Sequence, residues 1–160
     1  MSRHNNNEEL NWGILDGSVG PRIRLMRNIL SARSIAVSAP HGLPTGSLTV
    51  LALIAANPEC SQTALARRAG INKSALVGIV DELEKRGLAA RGRSPTDRRR
   101  NTLLVTPAGE QVIHELFSKV TLEEGPIRDA LGLADMAQLI ELLDRAVRAL
   151  ERLGVDPSER

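Results

Sequence analysis

The sequence predicts a mainly α-helical fold that carries one small β-hairpin. Apolar residues recur at intervals of three and four along most of the 160 residues, and this is the spacing of amphipathic helices. The chain has one tryptophan, one phenylalanine and no tyrosine, whereas the strands of all-β domains favour aromatic side chains. With 42% apolar and 25% charged residues, a chain of this length is expected to form one compact globular domain.

A long first helix is predicted within residues 14–40, after a polar, Asn-rich tail at 1–13. Its apolar positions follow one another at spacings of four, three, four and seven: Val19, Ile23, Met26, Leu30 and Val37. The helix should end before Pro40, because the residue before a proline disfavours helical geometry. A short apolar helix is expected near 48–56, closed by Asn57-Pro58.

Two short helices joined by a tight turn are predicted between residues 61 and 87. Ser61 and Asn72 are suited to cap the two helices at their N-termini, and Gly70 lies in the turn between them. The second helix ends at Gly87 and should bury Leu76, Ile79, Val80 and Leu83. This arrangement is the helix-turn-helix pattern.

Two strand candidates, at 88–91 and 102–105, follow these helices and flank the polar segment RGRSPTDRRRN. A hairpin placed directly after a helix-turn-helix gives the winged variant of that motif. We therefore predict a winged helix-turn-helix region over residues 46–106.

The C-terminal part, 107–153, is predicted to form two helices, with residues 154–160 as a tail. Thr106 caps the first helix with Pro107 at its first position, and the segment 123–126 interrupts it. The last helix has apolar residues at alternating spacings of three and four, which suit a seam against a partner helix. We expect a homodimer, and the predicted dimerisation residues are Val19, Ile23, Met136, Leu139, Leu143, Leu150 and Leu153.

The formal net charge of +2 is unevenly distributed. Residues 61–110 hold ten Lys/Arg against five Asp/Glu, whereas the remainder holds eleven against fourteen. A basic centre on a neutral-to-acidic frame suggests that the centre binds a polyanion. The scarcity of aromatic side chains argues against a single-strand nucleic-acid binder that stacks bases.

The stretch 61–112 resembles the winged-helix core of the MarR family of bacterial transcriptional regulators. The matching residues are Leu65-Ala66, Asp81, Leu83, Gly87-Leu88, Arg91, Asp97-Arg98-Arg99, Leu104 and Thr106. The order of helices extends the resemblance to about residues 14–153. It implies a homodimer with interlocked terminal helices, a palindromic operator and, in many members, release by a small molecule or oxidant. It also implies that Asp97 orients Arg99 for insertion into the minor groove.

Double-stranded DNA is therefore the expected partner, and three groups of residues are predicted to contact it. Residues opening the two helices can contact phosphates and base edges, and the wing arginines suit a narrow minor groove. The predicted contacts are Ser61, Gln62, Thr63, Asn72, Lys73, Ser74, Val77, Arg91, Arg93, Asp97, Arg98, Arg99 and Arg100. Ala75, Val77 and Gly78 depart from the polar residues common in the family and cannot form bidentate hydrogen bonds with bases.

The resemblance also places a ligand pocket between the first helix and the winged core. Its predicted lining is Met26, Leu30, Arg33, His41, Leu48 and Leu51; the alternative is that these residues are ordinary packed core. Arg33 interrupts the apolar row of its helix, where it could hold an anionic ligand or pair with an acid of the other subunit. A ligand here would be held by aliphatic contacts and arginine rather than by ring stacking.

Several other classes of protein are disfavoured. The histidines are scattered, so neither a metal site nor a cofactor is expected, and no nucleophile motif indicates an enzyme. The longest apolar run has seven residues, too short to span a membrane. One cysteine and a polar N-terminus favour the cytoplasm. Cys60 precedes a helix, which invites a redox-sensor interpretation, but a structural role is favoured.

These observations together predict a homodimeric, sequence-specific, double-stranded DNA-binding transcriptional regulator, a repressor released by a small-molecule effector. The alternative is a winged-helix protein-interaction or architectural module with weak, nonspecific DNA binding.

Overall fold

The computed structural model describes residues 10–58, 60–93 and 101–154, with backbone only at Arg93 and Asn101. Its helices are α1 (Val19–Ser38), α2 (Ser47–Ala56), α3 (Gln62–Ala69), α4 (Lys73–Lys85), α5 (Pro107–Glu123) and α6 (Gly125–Glu151). Two antiparallel strands, β1 (Ala89–Arg93) and β2 (Asn101–Val105), pair with Arg91 opposite Leu103. Short 3-10 turns occupy Gly13–Leu15 and Ala39–His41. The predicted mainly α fold with a small hairpin is confirmed.

Side-chain caps define where three of the helices begin. Ser61 Oγ accepts the amide of Ala64 at 3.1 Å, and Asn72 Oδ1 accepts that of Ala75 at 2.8 Å. Thr106 Oγ1 caps α5 and also donates to the carbonyl of Gly87 at 2.7 Å. Each cap satisfies an amide that lacks a partner within the helix. The caps predicted from the sequence are therefore confirmed.

One continuous core joins α2, α3, α4, the hairpin and the middle of α5. Its fully buried side chains include Leu51, Ile54, Leu76, Val80, Leu83 and Leu116. The predicted buried face of α4 is confirmed, since Ile79 belongs to the same core. Gly109 lets α5 pack against the hairpin, because a side chain there would clash with the carbonyl of Leu88. The elements α2, α3, α4 and the hairpin are termed the winged lobe below.

The helices α1 and α6, termed the arms, are far less buried than the winged lobe. Helix α6 contains no buried residue, and α1 buries only Ser38. Gly132, with φ 71° and ψ 175°, breaks the helical geometry of α6 and divides it in two. The sequence prediction lacked this kink and the helical segment before it. An isolated glycine within a helical pattern was the available signal.

None of the helices in the described ranges is both long and apolar enough to cross a membrane.

Candidate DNA-binding surface and effector cleft

The first turns of α3 and α4 present polar side chains at the protein surface. Ser61, Thr63, Lys73 and Ser74 are exposed, and Gln62 is half-buried. The exposed amides at a helix N-terminus, together with its positive dipole end, attract phosphate groups. Ser61 caps its helix through oxygen, which leaves its hydroxyl proton able to donate to a phosphate. These first turns can therefore bind anionic oxygens along a duplex.

The outer face of α4 carries small apolar side chains. Val77 is 42% exposed, and Ala75 and Gly78 also lie at the surface. Among the described residues, a methyl group added at Gly78 would meet no atom within 4 Å beyond the neighbouring backbone of its own helix. This face can approach a groove closely and contact thymine methyl groups, but it offers few hydrogen bonds to bases.

Arg91, predicted as a DNA contact, is engaged within the chain. Its Nη2 lies 2.7 Å from Asp81 Oδ1, and its Nη1 lies 2.9 Å from Glu84 Oε2. Both acids belong to α4, so the guanidinium joins the start of the wing to that helix. The predicted contacts Asp97, Arg98, Arg99 and Arg100 lie outside the described residues, as does the side chain of Arg93.

An aliphatic cleft of about 330 Å³ lies between α1 and the junction of α5 with α6. Its lining consists of Arg22, Leu25, Met26, Ile29, Leu30, Arg33, Glu123, Pro126 and Ile127. Of the six predicted ligand residues, Met26, Leu30 and Arg33 are in this lining. Glu123, Pro126 and Ile127 were missed, because their place beside α1 depends on contacts distant in sequence.

The other three predicted ligand residues lie elsewhere. Leu51 is fully buried in the core and Leu48 packs against it, so the alternative of packed core holds for these two. His41 follows α1, where its Nε2 lies 3.1 Å from Lys119 Nζ and 3.5 Å from Glu115 Oε1. The hydrogen bond from Lys119 lowers the pKa of the Glu115 carboxyl. This polar cluster connects the end of α1 to α5.

Arg33 closes one end of the cleft. Its Nη1 donates to the carbonyl of Glu123 at 2.8 Å, and its Nε lies 3.3 Å from Glu123 Oε2. The carboxylate partner of Arg33 is thus an acid of its own chain, at the C-terminal end of α5. A guanidinium at the rim of an aliphatic cleft is suited to an anionic group on an otherwise apolar molecule.

The comparisons with known proteins agree on one family. The MarR family model matches residues 41–100. A protein of Thauera aromatica, named for transcriptional regulation of the hcr operon, is 35% identical over 142 residues, or 88% of this chain and 85% of that protein. The chain belongs to the MarR family. It is a transcriptional regulator of the MarR type.

Two solved structures have folds closely similar to that of this chain. The repressor CouR bound to a 23-mer DNA duplex is 30% identical, with a TM-score of 0.73 over 87% of this chain and 99% of CouR. CouR from Rhodococcus jostii RHA1 bound to p-coumaroyl-CoA is 26% identical, with a TM-score of 0.72 over 85% of this chain and 93% of that chain.

The predicted dimerisation residues of this MarR-type regulator are all accessible in the single chain. Met136 and Leu139 are half-buried, and the others are exposed: Val19, Ile23, Leu143, Leu150 and Leu153. Further apolar side chains of the arms are exposed beside them, including Ile29, Ile140 and Val147. The arms therefore carry an apolar surface that the described part of this chain does not cover.

In the described ranges of the regulator, no group of three or more His, Cys, Asp or Glu side chains is arranged to hold a metal ion. Cys60 is half-buried between α2 and α3, and burial raises the pKa of its thiol. A raised pKa disfavours the thiolate, which is the reactive form of cysteine.

Proposed function

We propose that this MarR-family chain acts as a homodimeric, sequence-specific repressor that binds double-stranded DNA at a palindromic operator and is released by a small-molecule effector. The observation that carries the proposal is the surface formed by the first turns of α3 and α4. Lys73 and Ser74 are exposed there beside the helix-terminal amides. The likeness to DNA-bound CouR over 87% of the chain supports this assignment.

Dimerisation supplies the symmetry that a palindromic operator requires. The exposed apolar side chains of α1 and α6 have no cover within the described chain, and a second copy offers the same surfaces in return. A two-fold dimer of this class presents its two recognition helices to major grooves about 34–36 Å apart. Each α4 would then read one half-site.

The effector would occupy the cleft between α1 and the α5–α6 junction. Its described lining is aliphatic apart from Arg22, Arg33 and Glu123, and it contains no aromatic ring. CouR binds p-coumaroyl-CoA in its own structure. For this chain we propose an organic anion whose apolar part fills the cleft and whose charged group competes with Glu123 for Arg33. Such competition would loosen the connection between α1 and α5 and shift the dimer away from its DNA-binding form.

The test begins with selection of bound duplexes from a random pool, using the full-length protein. The dissociation constant of a selected duplex is then measured by fluorescence anisotropy at several salt concentrations. We expect the logarithm of the affinity to fall linearly with the logarithm of salt, because phosphate contacts release counterions. Weak binding without preference between selected and scrambled duplexes, or binding insensitive to salt, would instead favour the protein-interaction or architectural module.

A pair of variants tests the DNA-binding surface and the effector cleft separately. Lys73→Ala should weaken DNA binding and reduce its salt dependence, since it removes one phosphate contact per subunit. Arg33→Gln removes the connection to Glu123, so it should weaken DNA binding and make the remaining binding insensitive to the aliphatic and aryl carboxylates that release the unmodified protein. Release that persists in Arg33→Gln would place the effector site elsewhere.

A further inference from the structure

We propose that Arg91 is a positioning residue, which fixes the wing against the recognition helix α4 through Asp81 and Glu84 and makes no contact with DNA phosphate. The inference rests on the proposed DNA-binding function. It adds that some basic residues contact phosphate, whereas Arg91 positions the wing. Arg91, Asp81 and Glu84 are termed the wing clamp below.

The wing clamp connects two elements through both the main chain and the side chain of Arg91. Glu84 Oε1 accepts the amide of Arg91 at 3.0 Å, while its Oε2 lies 2.9 Å from Nη1. Asp81 Oδ1 accepts a hydrogen bond from Nη2 at 2.7 Å. The two acids are three residues apart and so lie on the same side of α4. The planar guanidinium donates to Asp81 and forms an ion pair with Glu84 at the same time, a geometry that a lysine ammonium does not reproduce.

The charge balance of the wing clamp argues against a phosphate at this place. Two carboxylates surround one guanidinium, so the cluster carries a net negative charge when all three groups are ionised. Asp81 is the more exposed member, with 56% of its side chain accessible against 43% for Arg91. A phosphate approaching Arg91 from solvent would therefore meet Asp81 as well, and like charges repel.

The position of Arg91 in the hairpin explains why its orientation affects DNA binding. Gly87, with φ +67°, lies in the turn between α4 and β1, so the clamp fixes β1 just beyond a conformationally permissive residue. Arg91 pairs in register with Leu103, a buried residue of β2. Fixing Arg91 therefore sets the direction of the whole hairpin relative to α4. That direction decides whether the wing and α4 can engage neighbouring grooves of one duplex together.

The deciding experiment compares variants of the full-length dimer on one selected duplex across a salt series. Asp81→Asn distinguishes the two roles by the sign of its effect. If Arg91 positions the wing, losing Asp81 weakens binding, by up to about thirtyfold when two ion pairs per dimer worth up to about 1 kcal/mol each are lost. If Arg91 contacts phosphate, Asp81→Asn removes a repulsive charge, frees the arginine and strengthens binding.

Arg91→Lys and Arg91→Ala complete the comparison. Both should weaken binding while the slope of log affinity against log salt stays at the wild-type value. Lys73→Ala, the phosphate-contact control, should reduce that slope by about 1.8, because about 0.9 is lost for each of two subunits. Asp135→Asn on α6 serves as the control for the removal of an acid. Circular dichroism and the mass of the dimer show that each variant is folded and assembled.

The outcomes separate the two proposals. Stronger binding by Asp81→Asn, a reduced slope in Arg91→Ala, or unchanged affinity in all the clamp variants would overturn the positioning role while leaving the regulator intact. Salt-insensitive binding by the unmodified protein would overturn the proposed function itself. Because Arg91→Lys retains the charge and most of the side chain, it tests the clamp even where Arg91→Ala fails to fold.

Discussion

The winged lobe and the arms of this regulator are built from similar residues but differ in how completely one chain buries them. In the lobe, α4 buries four apolar side chains, and Val50, Leu51 and Leu83 are fully inaccessible. In the arms, neither part of α6 buries any residue over the range Gly125–Glu151. One chain therefore buries the core of the lobe completely, whereas the arms keep an apolar surface that a second copy would cover in the proposed dimer.

The difference has a consequence for stability. Burial of apolar area is the main favourable contribution to folding, so the lobe obtains its stability from a single chain. In the proposed dimer the arms gain that contribution only when a second copy covers them, so their stability should depend on protein concentration. Helix α5 connects the two parts, since its Leu116 is buried in the core and its Glu123 pairs with Arg33 of α1. An ion pair between Arg67 of α3 and Glu151 of α6 connects them as well.

The largest effect is expected from charges placed on the apolar surface of α6. Leu143→Glu combined with Val147→Glu introduces two carboxylates where both side chains are now partly exposed apolar groups. Burying unpaired charges in an interface is strongly unfavourable. We expect the dissociation constant of the dimer to rise by about a hundredfold or more and operator binding to be lost. Sedimentation equilibrium measures the first quantity and anisotropy the second.

Gln138→Glu is the matched control, because Gln138 is an exposed residue on the polar side of the same helix. It should leave the dimer intact. A double variant that remains dimeric at submicromolar concentration would show that the arms do not form the interface.

A smaller but still large effect is expected in the core of the lobe. Leu83 is completely inaccessible, and Leu83→Ala should lower the free energy of unfolding by about 2–5 kcal/mol through lost burial and a residual cavity. The loss should persist in the monomeric Leu143→Glu, Val147→Glu background. Leu150→Ala, at a side chain 61% exposed, should cost less than about 0.5 kcal/mol in that background. Urea denaturation at two protein concentrations measures the free energy of unfolding of each variant. If Leu83→Ala and Leu150→Ala lowered it by the same amount, the contrast between lobe and arms would be contradicted.

A second contrast, between contacts that are local in sequence and contacts that are not, explains what could be predicted from the sequence. The caps Ser61, Asn72 and Thr106 and the buried face of α4 are local features, and each depends on residues within a few positions. The partners of Arg33 and Arg91 are not local in this sense. Glu123 lies 90 residues from Arg33, and Arg91 could be recognised as basic but not as already paired with Asp81 and Glu84. The kink at Gly132 could not be predicted either, since one glycine in a helical pattern does not specify a break.

Gly78 permits a test of intermediate size within the lobe. Gly78→Ala should raise the free energy of unfolding by about 0.5–1 kcal/mol, because glycine is a poor helix former and the added methyl group clashes with none of the described residues. DNA affinity should fall despite the gain in stability, since the methyl group projects from the face of α4 that would enter the groove. Gly20→Ala in α1 is the control for a gain in helix propensity distant from DNA. Unchanged DNA affinity in Gly78→Ala would show that the duplex does not approach α4 at this residue.

The smallest effect concerns Cys60, which lies where the lobe turns from α2 into α3. Burial raises the pKa of its thiol, so the thiolate fraction near neutral pH is lower than that of a free cysteine. Alkylation by iodoacetamide at pH 7 should be slower in the folded protein than in the same protein unfolded in urea. Peroxide at equimolar amount should leave operator affinity unchanged, and Cys60→Ser should bind DNA as the unmodified protein does. Loss of operator binding on oxidation, absent in Cys60→Ser, would instead make the thiol a sensor and give the lobe a regulatory site independent of the arms.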